Sequence, residues 1–242
     1  MKIIGFDSAV QESNIGLVLC NYLNGVITIE DKKDSKLTSE EQIIKWSTTN
    51  ELIIMGVDSP LGWPKYFGSS LKEHIAGNQI DSDPVSFFER TTDKFIYKTF
   101  KKKPLEVSAD RIARTEYYTL NRLNYINKNI EKKYEILWNS NNILINGFIE
   151  VYPAATLIAN DIIIKGYKDN KSCRERIIHE LKLKYQFNLN PDINIINTDH
   201  DFDAFICCLA VHDFIQQNVY FPINEVDIYK TEGWIWTKKK IT

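Results

Sequence analysis

The sequence predicts an α/β protein with a mixed β-sheet, and three features carry that expectation. Residues 3–6 and 52–57 are short, nearly uninterrupted apolar runs rich in β-branched residues, so they read as strands buried on both faces. Asn24-Gly25 separates two β-rich runs, 15–23 and 26–30, and is the dipeptide that a tight primed hairpin turn demands. Residues 202–215 form a helix-length stretch that is apolar nearly all round and therefore has to be enclosed by other elements.

The remaining elements follow in order. The first strand ends in Asp7, and the hairpin sets the next two runs antiparallel to each other. Residues 31–36 are a polar loop. Thr38 and Ser39 each precede an acid or amide three residues on, Glu41 and Gln42, which is a doubled capping-box pattern opening a helix through Ile43, Ile44 and Trp46. The strand 52–57 ends in Asp58, after which Pro60, Gly62 and Pro64 forbid regular continuation. Residues 61 to about 144 then read as a mostly helical insertion. Within it 65–104 lacks sustained periodicity and TFKKKP is a basic loop. The stretch 108–136 is a long helix pattern with Ile112, Leu120, Leu123, Ile126 and Ile130 on one face. Arg111, Arg114, Tyr118, Arg122 and Tyr125 fall on the other. A strand ending in Glu150 follows, then helices near 154–159 and over 174–185, and the buried helix behind Asp199, Asp201 and Asp203 closes the core before a tail containing EGWIWTKKK.

Composition bounds the function. The 242 residues suffice for one large domain, and an apolar fraction of 43% with five Trp describes a globular chain. A formal net charge of −2 announces no bulk attraction to nucleic acid, although an acidic metal cluster would mask local basic surface in that sum. Cys20, Cys173, Cys207 and Cys208 lack metal-binding spacing and read as reduced thiols of a cytoplasmic protein. No apolar run approaches a membrane span, and the first strand begins too early to leave room for a signal peptide.

A single strand-end aspartate is ordinary turn or cap chemistry. Three acids delivered to one carboxyl edge, where open α/β sheets bind ligands, repel one another unless something positive sits among them. The order β-β-β-α-β-α-β-α is that of the ribonuclease H superfold, with a mixed five-stranded sheet and flanking helices. There the first and fourth strands run side by side and the last helix points its N-terminus at the same edge, which makes Asp7 and Asp58 neighbours. The segments GFDSA, GVDSPLGWP, RTTD, IEVYPAA, DFDAFICCLAVHDF and EGWIW, spread over nearly the whole chain, resemble the family catalogued as domain of unknown function 429, described as predicted nucleases of RNase H-like fold. The resemblance implies a single RNase H-like domain over 1–242 and a divalent-metal-dependent nuclease. Asp7 matches the first-strand acid, Asp58 the fourth-strand acid, Glu150 the acid of a Glu-Val-x-Pro pattern and Asp203 that of an Asp-Ala pair. These four are the implied catalytic acids. Asp7, Asp58 and Asp203 are the implied ligands of Mg²⁺ or Mn²⁺, and Asp201 or Asp199 could stand in for Asp203. In RNase H-like nucleases such acids hold two divalent cations, hard ions that take oxygen ligands and clamp the attacking and leaving oxygens of a phosphodiester.

Other polar residues carry two readings each. Thr198, Asp199, Asp201 and Asp203 are all legitimate helix caps. His200 either orients a water beside the acids or is an exposed loop histidine. Arg90 and Asp93 of RTTD either serve the substrate or form a structural ion pair. Arg111, Arg114 and Arg122, with Tyr118 and Tyr125 between them, suit phosphate contact and base stacking, or else form a solvated face. The expected partner is thus nucleic acid, DNA or RNA, with no membrane association. Two rival functions remain: a non-catalytic nucleic-acid or protein-binding module, and an actin-like ATP-binding phosphotransferase. The second is disfavoured because Asp7 runs into Ser-Ala-Val-Gln-Glu and not into a Gly/Thr-rich phosphate loop.

Overall fold

The Asn24-Gly25 turn forms with positive φ at both residues, 51° and 83°, and folds β2 (Gly16–Leu23) back on β3 (Val26–Lys32). β1 (Lys2–Asp7) pairs antiparallel with β2 and parallel with β4 (Ile53–Asp58). The computed structural model describes residues 1–72, 74–80, 82–141, 143–222 and 226–240. Its mixed sheet is completed by β5 (Glu135–Ile136), β6 (Gly147–Glu150) and β7 (Phe187–Asn188), in the order β5-β6-β4-β1-β2-β3-β7. Among the described residues the sheet therefore has seven strands where the sequence suggests five. The added pair, β5 and β7, are edge strands of two residues each, too short to leave a periodic signal. Because β5 pairs with β6, the end of the expected insertion belongs to the sheet.

Alternation along the central strands builds a core on each face. Ile3, Val18, Cys20 and Ile54 pack with α6 (Pro153–Ala159), α7 (Lys171–Lys182) and α8 (Asp199–Ile215). Ile4, Phe6, Leu17, Leu19, Met55 and Val57 pack on the other face with Ile43 and Trp46 of α1 (Ser39–Trp46) and with Leu123 and Ile126 of α5 (Ile112–Lys128). α1 begins at the expected capping box: the Thr38 hydroxyl accepts from the Glu41 N–H at 3.2 Å, and the Glu41 carboxylate accepts from the Thr38 N–H at 2.8 Å. Among the described residues no helix is long and apolar enough to cross a membrane.

Between β4 and β5 lie α2 (Lys65–Leu71), α3 (Pro84–Phe88), α4 (Thr91–Phe100) and α5. α4 falls where the sequence shows no sustained periodicity, and its buried face includes Thr92 and Asp93 beside Ile96 and Phe100. Helix α9 (Val226–Glu232) completes the set. Its last residue caps two others, since the Glu232 carboxylate accepts from the N–H of Lys65 at 2.9 Å and of Thr91 at 2.7 Å.

α5 is rotated relative to the expectation. Glu116, Thr119 and Arg122 are buried with Leu123 and Ile126, while Leu120 is 37% exposed. Polar residues thus enter the interface under the insertion. Glu116 is fully buried, and neither of its carboxyl oxygens has a hydrogen-bond partner. Burial pushes its pKa up to about 8 against the pull of the Arg90 guanidinium, with Glu150 and Asp93 adding repulsion. The folded protein consequently binds a proton at Glu116 that the unfolded chain releases near the ordinary carboxylate value of about 4.3. Its contribution to stability is complete below that value and is lost as pH rises to about 8, at up to ~1.4 kcal/mol per pH unit. Urea unfolding at successive pH values should show a shallower decline for Glu116→Gln than for the parent. Equal slopes for the two proteins would assign the buried proton elsewhere.

Candidate metal centre

Asp7 and Asp58 terminate adjacent parallel strands and stand opposite each other in register. Neighbouring strands lie about 4.8 Å apart, so the pairing alone brings the two carboxylates close. Asp7 shares parity with Ile3, and Asp58 with Ile54, so both project to the face covered by α8. α8 is capped by the Thr198 hydroxyl, which accepts from the Asp201 N–H at 3.0 Å, and its first turns present Asp203 to the same edge. One oxygen each of Asp7, Asp58 and Asp203 then lie within 4.8 Å of one another. Asp203 is wholly buried and Asp7 nearly so, while Asp58 is half-buried.

Crowding and burial resist full ionisation of this cluster. Burial lifts the Asp58 carboxyl well above its ordinary range, with Asp7 and Asp203 adding to the rise. Burial carries Asp203 up to about 7, a rise that Lys168 opposes and Asp7 reinforces. Asp7 is raised by burial too, against the hydrogen bond from His200 and the charge of Lys168. The Lys168 ammonium donates to Oδ2 of Asp203 and lies 3.9 Å from Asp199. His200 Nδ1 is 2.9 Å from Oδ2 of Asp7, and this contact raises the imidazole pKa. Oδ1 of Asp203 is buried without a hydrogen-bond partner. A set of three carboxylates with an unsatisfied inward oxygen fits a hard, oxygen-seeking cation.

The other expected site residues take different places. Glu150 borders the same cleft but stands outside the triad, because Arg90 engages both its oxygens, Nη1 to Oε2 at 3.0 Å and Nη2 to Oε1 at 2.8 Å. Arg90 lines the cleft as well, but its guanidinium is taken up by structural contacts. It is 1% exposed, and it also holds Asp93 at 2.9 Å and the Glu232 carbonyl at 3.0 Å. Asp201 lies a little over half a turn round α8 from Asp203 and pairs with Lys32 at 2.6 Å, so it is no part of the cluster. Arg122 is buried, donating to the carbonyls of Ala9 at 2.6 Å and Val10 at 3.2 Å, which fixes the loop after β1. Arg111 and Arg114 do face the cleft, exposed and with no side-chain partner among the described residues.

The cleft above the triad has a volume of about 610 Å³. Leu105 and Ile112 give it an apolar wall, with Tyr152 and Lys168 also lining it. Lys168 had no legible signal, since it is one of several lysines in a polar loop. His200 was visible in sequence only as a neighbour of acids, and its contact with Asp7 required the close seating of α8 on β1.

Fold and site together define an α/β protein with a carboxylate triad, able to hold a metal ion, at the carboxyl edge of its sheet. The chain belongs to the family described as protein of unknown function (DUF429), whose model matches residues 23–227. Asp58 and Asp203 fall inside the matched range and Asp7 outside it. No curated protein and no solved structure matches the chain significantly.

Lys168 supplies the triad with positive charge at Asp203, within the oxygen set that a bound cation would share. Lys168→Met keeps the aliphatic stem and removes that charge. The variant should melt lower than the parent in EDTA and bind Mn²⁺ several-fold more tightly by paramagnetic-resonance titration. Unchanged Mn²⁺ affinity would show that the ammonium and the ion do not share Asp203.

Proposed function

We propose that this chain is a divalent-metal-dependent nuclease that hydrolyses phosphodiester bonds of a nucleic acid, on an RNase H-like form of the α/β fold. The observation that carries this reading is the convergence of Asp7, Asp58 and Asp203 from the ends of β1 and β4 and the start of α8. The antiparallel β1-β2-β3 run, the parallel β4 beside β1 and the closing α8 support the RNase H-like assignment, with β5 and β7 as additions at the edges. The four free cysteines fit a reducing, cytoplasmic setting.

In this reading Asp7, Asp58 and Asp203 hold Mg²⁺ or Mn²⁺. A bound ion of this kind supplies Lewis-acid stabilisation of phosphoryl oxygens and a water acidic enough to act near neutral pH. The protein groups do the rest. His200 fixes the orientation of Asp7, Lys168 tempers the repulsion around Asp203, and Arg111 and Arg114 hold phosphates that flank the reacting one. Sequestration of Glu150 by Arg90 favours a three-acid site and is also the one feature that favours a non-catalytic binding module.

Thermal melts and cleavage assays separate these readings. The parent should gain about 2.7 kcal/mol when Mn²⁺ exceeds its dissociation constant a hundredfold. Asp58→Asn should lose most of that gain, yet be at least as stable as the parent in EDTA, because it removes a carboxyl whose ionisation burial and its neighbours oppose. Labelled DNA and RNA should be cut by the parent in Mn²⁺, not in EDTA, and slower by orders of magnitude with Asp58→Asn. An equal metal shift in both proteins would remove Asp58 from the site. A metal shift without cleavage of any polymer would favour the binding module.

A further inference from the structure

The outer face of α5 continues the cleft. Arg111 and Arg114 line it at the helix start. Further along, Tyr118 is 44% exposed and Tyr125 is 53% exposed. Positions 111, 118 and 125 recur every seven residues, close to two helical turns, so they form one stripe about 20 Å long. Tyr117 stands edge-on to Tyr118, with ring centroids 5.7 Å apart. Arg122, anchored on the loop after β1, places its guanidinium carbon 5.8 Å from the Tyr118 ring centroid and so braces that ring. The single acid of this helix, Glu116, is buried, so its exposed surface carries no negative charge.

We infer that this stripe is a track for a single-stranded nucleic acid whose scissile phosphate reaches the carboxylate triad, an inference that rests on the nuclease reading above. Two free arginines at the cleft followed by exposed tyrosine rings along the helix match a strand that offers phosphates and unpaired base faces. A duplex buries its base faces against one another along its whole length, so it offers such rings nothing except at its ends. Duplex readers also insert a protruding helix or ribbon into a groove. Here the geometry is the reverse, with Asp7, 7% exposed, and Asp58 recessed in a cleft and Asp203 fully buried beside them. A flexible single strand can bend into such a cleft, whereas a duplex, stiff over about 150 base pairs, resists the necessary deformation.

The test is fluorescence anisotropy with the full chain in Ca²⁺, using a short labelled oligothymidylate, the matching oligouridylate and a blunt duplex of the same length. At least one single strand should bind about tenfold or more tightly than the duplex, a difference of roughly 1.4 kcal/mol. Tyr118→Ala and Tyr125→Ala should weaken single-strand binding several-fold without changing its salt dependence. Arg111→Ala and Arg114→Ala should each flatten the slope of log affinity against log salt by about 0.7. Tyr118→Phe keeps the ring and should retain the affinity. Equal or tighter duplex binding, or tyrosine variants with no effect, would overturn the single-strand track while metal-dependent cleavage left the nuclease reading intact. Binding of none of the three polymers, together with no cleavage, would overturn both.

Discussion

Helix α8 seats directly on the backbone of the central strands, and the candidate site depends on that contact. A Cβ at Gly5 would sit 1.7 Å from the Ala204 carbonyl oxygen, and one at Gly56 would sit 2.7 Å from that of Cys207. Gly5 and Gly56 are partners in the parallel register, two residues before Asp7 and Asp58. The glycines that admit the helix therefore belong to the same two strands, on the same face, as the acids that meet Asp203. Any larger side chain at Gly5 would lift α8 and with it Asp203, so the packing constraint and the site geometry are one arrangement. The near-complete burial of α8 from Asp201 to Phe214 follows as well, because a helix this close to a sheet and covered by α6 has few wet positions.

A second buried contact holds the insertion in place over that edge. Arg90 joins Asp93 of α4, Glu150 at the end of β6 and the Glu232 carbonyl at the end of α9. Both carboxylates are nearly fully buried, as is Arg90 itself. Removing one member of such a pair costs about 3–5 kcal/mol, since it strands the other charge in a medium that cannot solvate it. The arrangement explains why Glu150, a strand-end acid like Asp7 and Asp58, stands outside the triad. It neutralises the arginine that ties α4 to the sheet, and α4 leads directly into the loop and helix that wall the cleft.

The parts of this architecture that follow local rules could be read from the sequence. The Asn24-Gly25 hairpin, the Thr38 capping box and the acid-tipped strands all depend on neighbours a few residues away, and each forms at its expected place. What escaped reading depends on long-range partners. Arg122 shares a helical stripe with Arg111 and Tyr118, yet the loop after β1 folds over it and captures its guanidinium. Asp201 and Asp203 look equivalent in sequence as acids near the start of a helix, and only the rotation of α8 against β1 sends one to Lys32 and the other to the triad. Arg90 illustrates the same limit. Its pairing with Asp93 is local, but its more consequential partner, Glu150, lies sixty residues away.

The charge balance of the cleft connects these features to function. Three carboxylates converge here, Asp7 and Asp58 lining the cleft and Asp203 buried beside them, and among the described residues the cationic contacts that reach them are the ammonium of Lys168 and, when protonated, the imidazole of His200. Two arginines stand at the rim and not among the acids. A phosphodiester drawn in by Arg111 and Arg114 would therefore meet a negative floor, and its own charge would oppose closer approach. A multivalent cation between floor and substrate reverses that repulsion, because it attracts both at short range in a partly dehydrated space. The same layout places the unpaired positive charge of the cleft, that of Arg111 and Arg114, at its exposed edge, and a net charge of −2 over the whole chain conceals it.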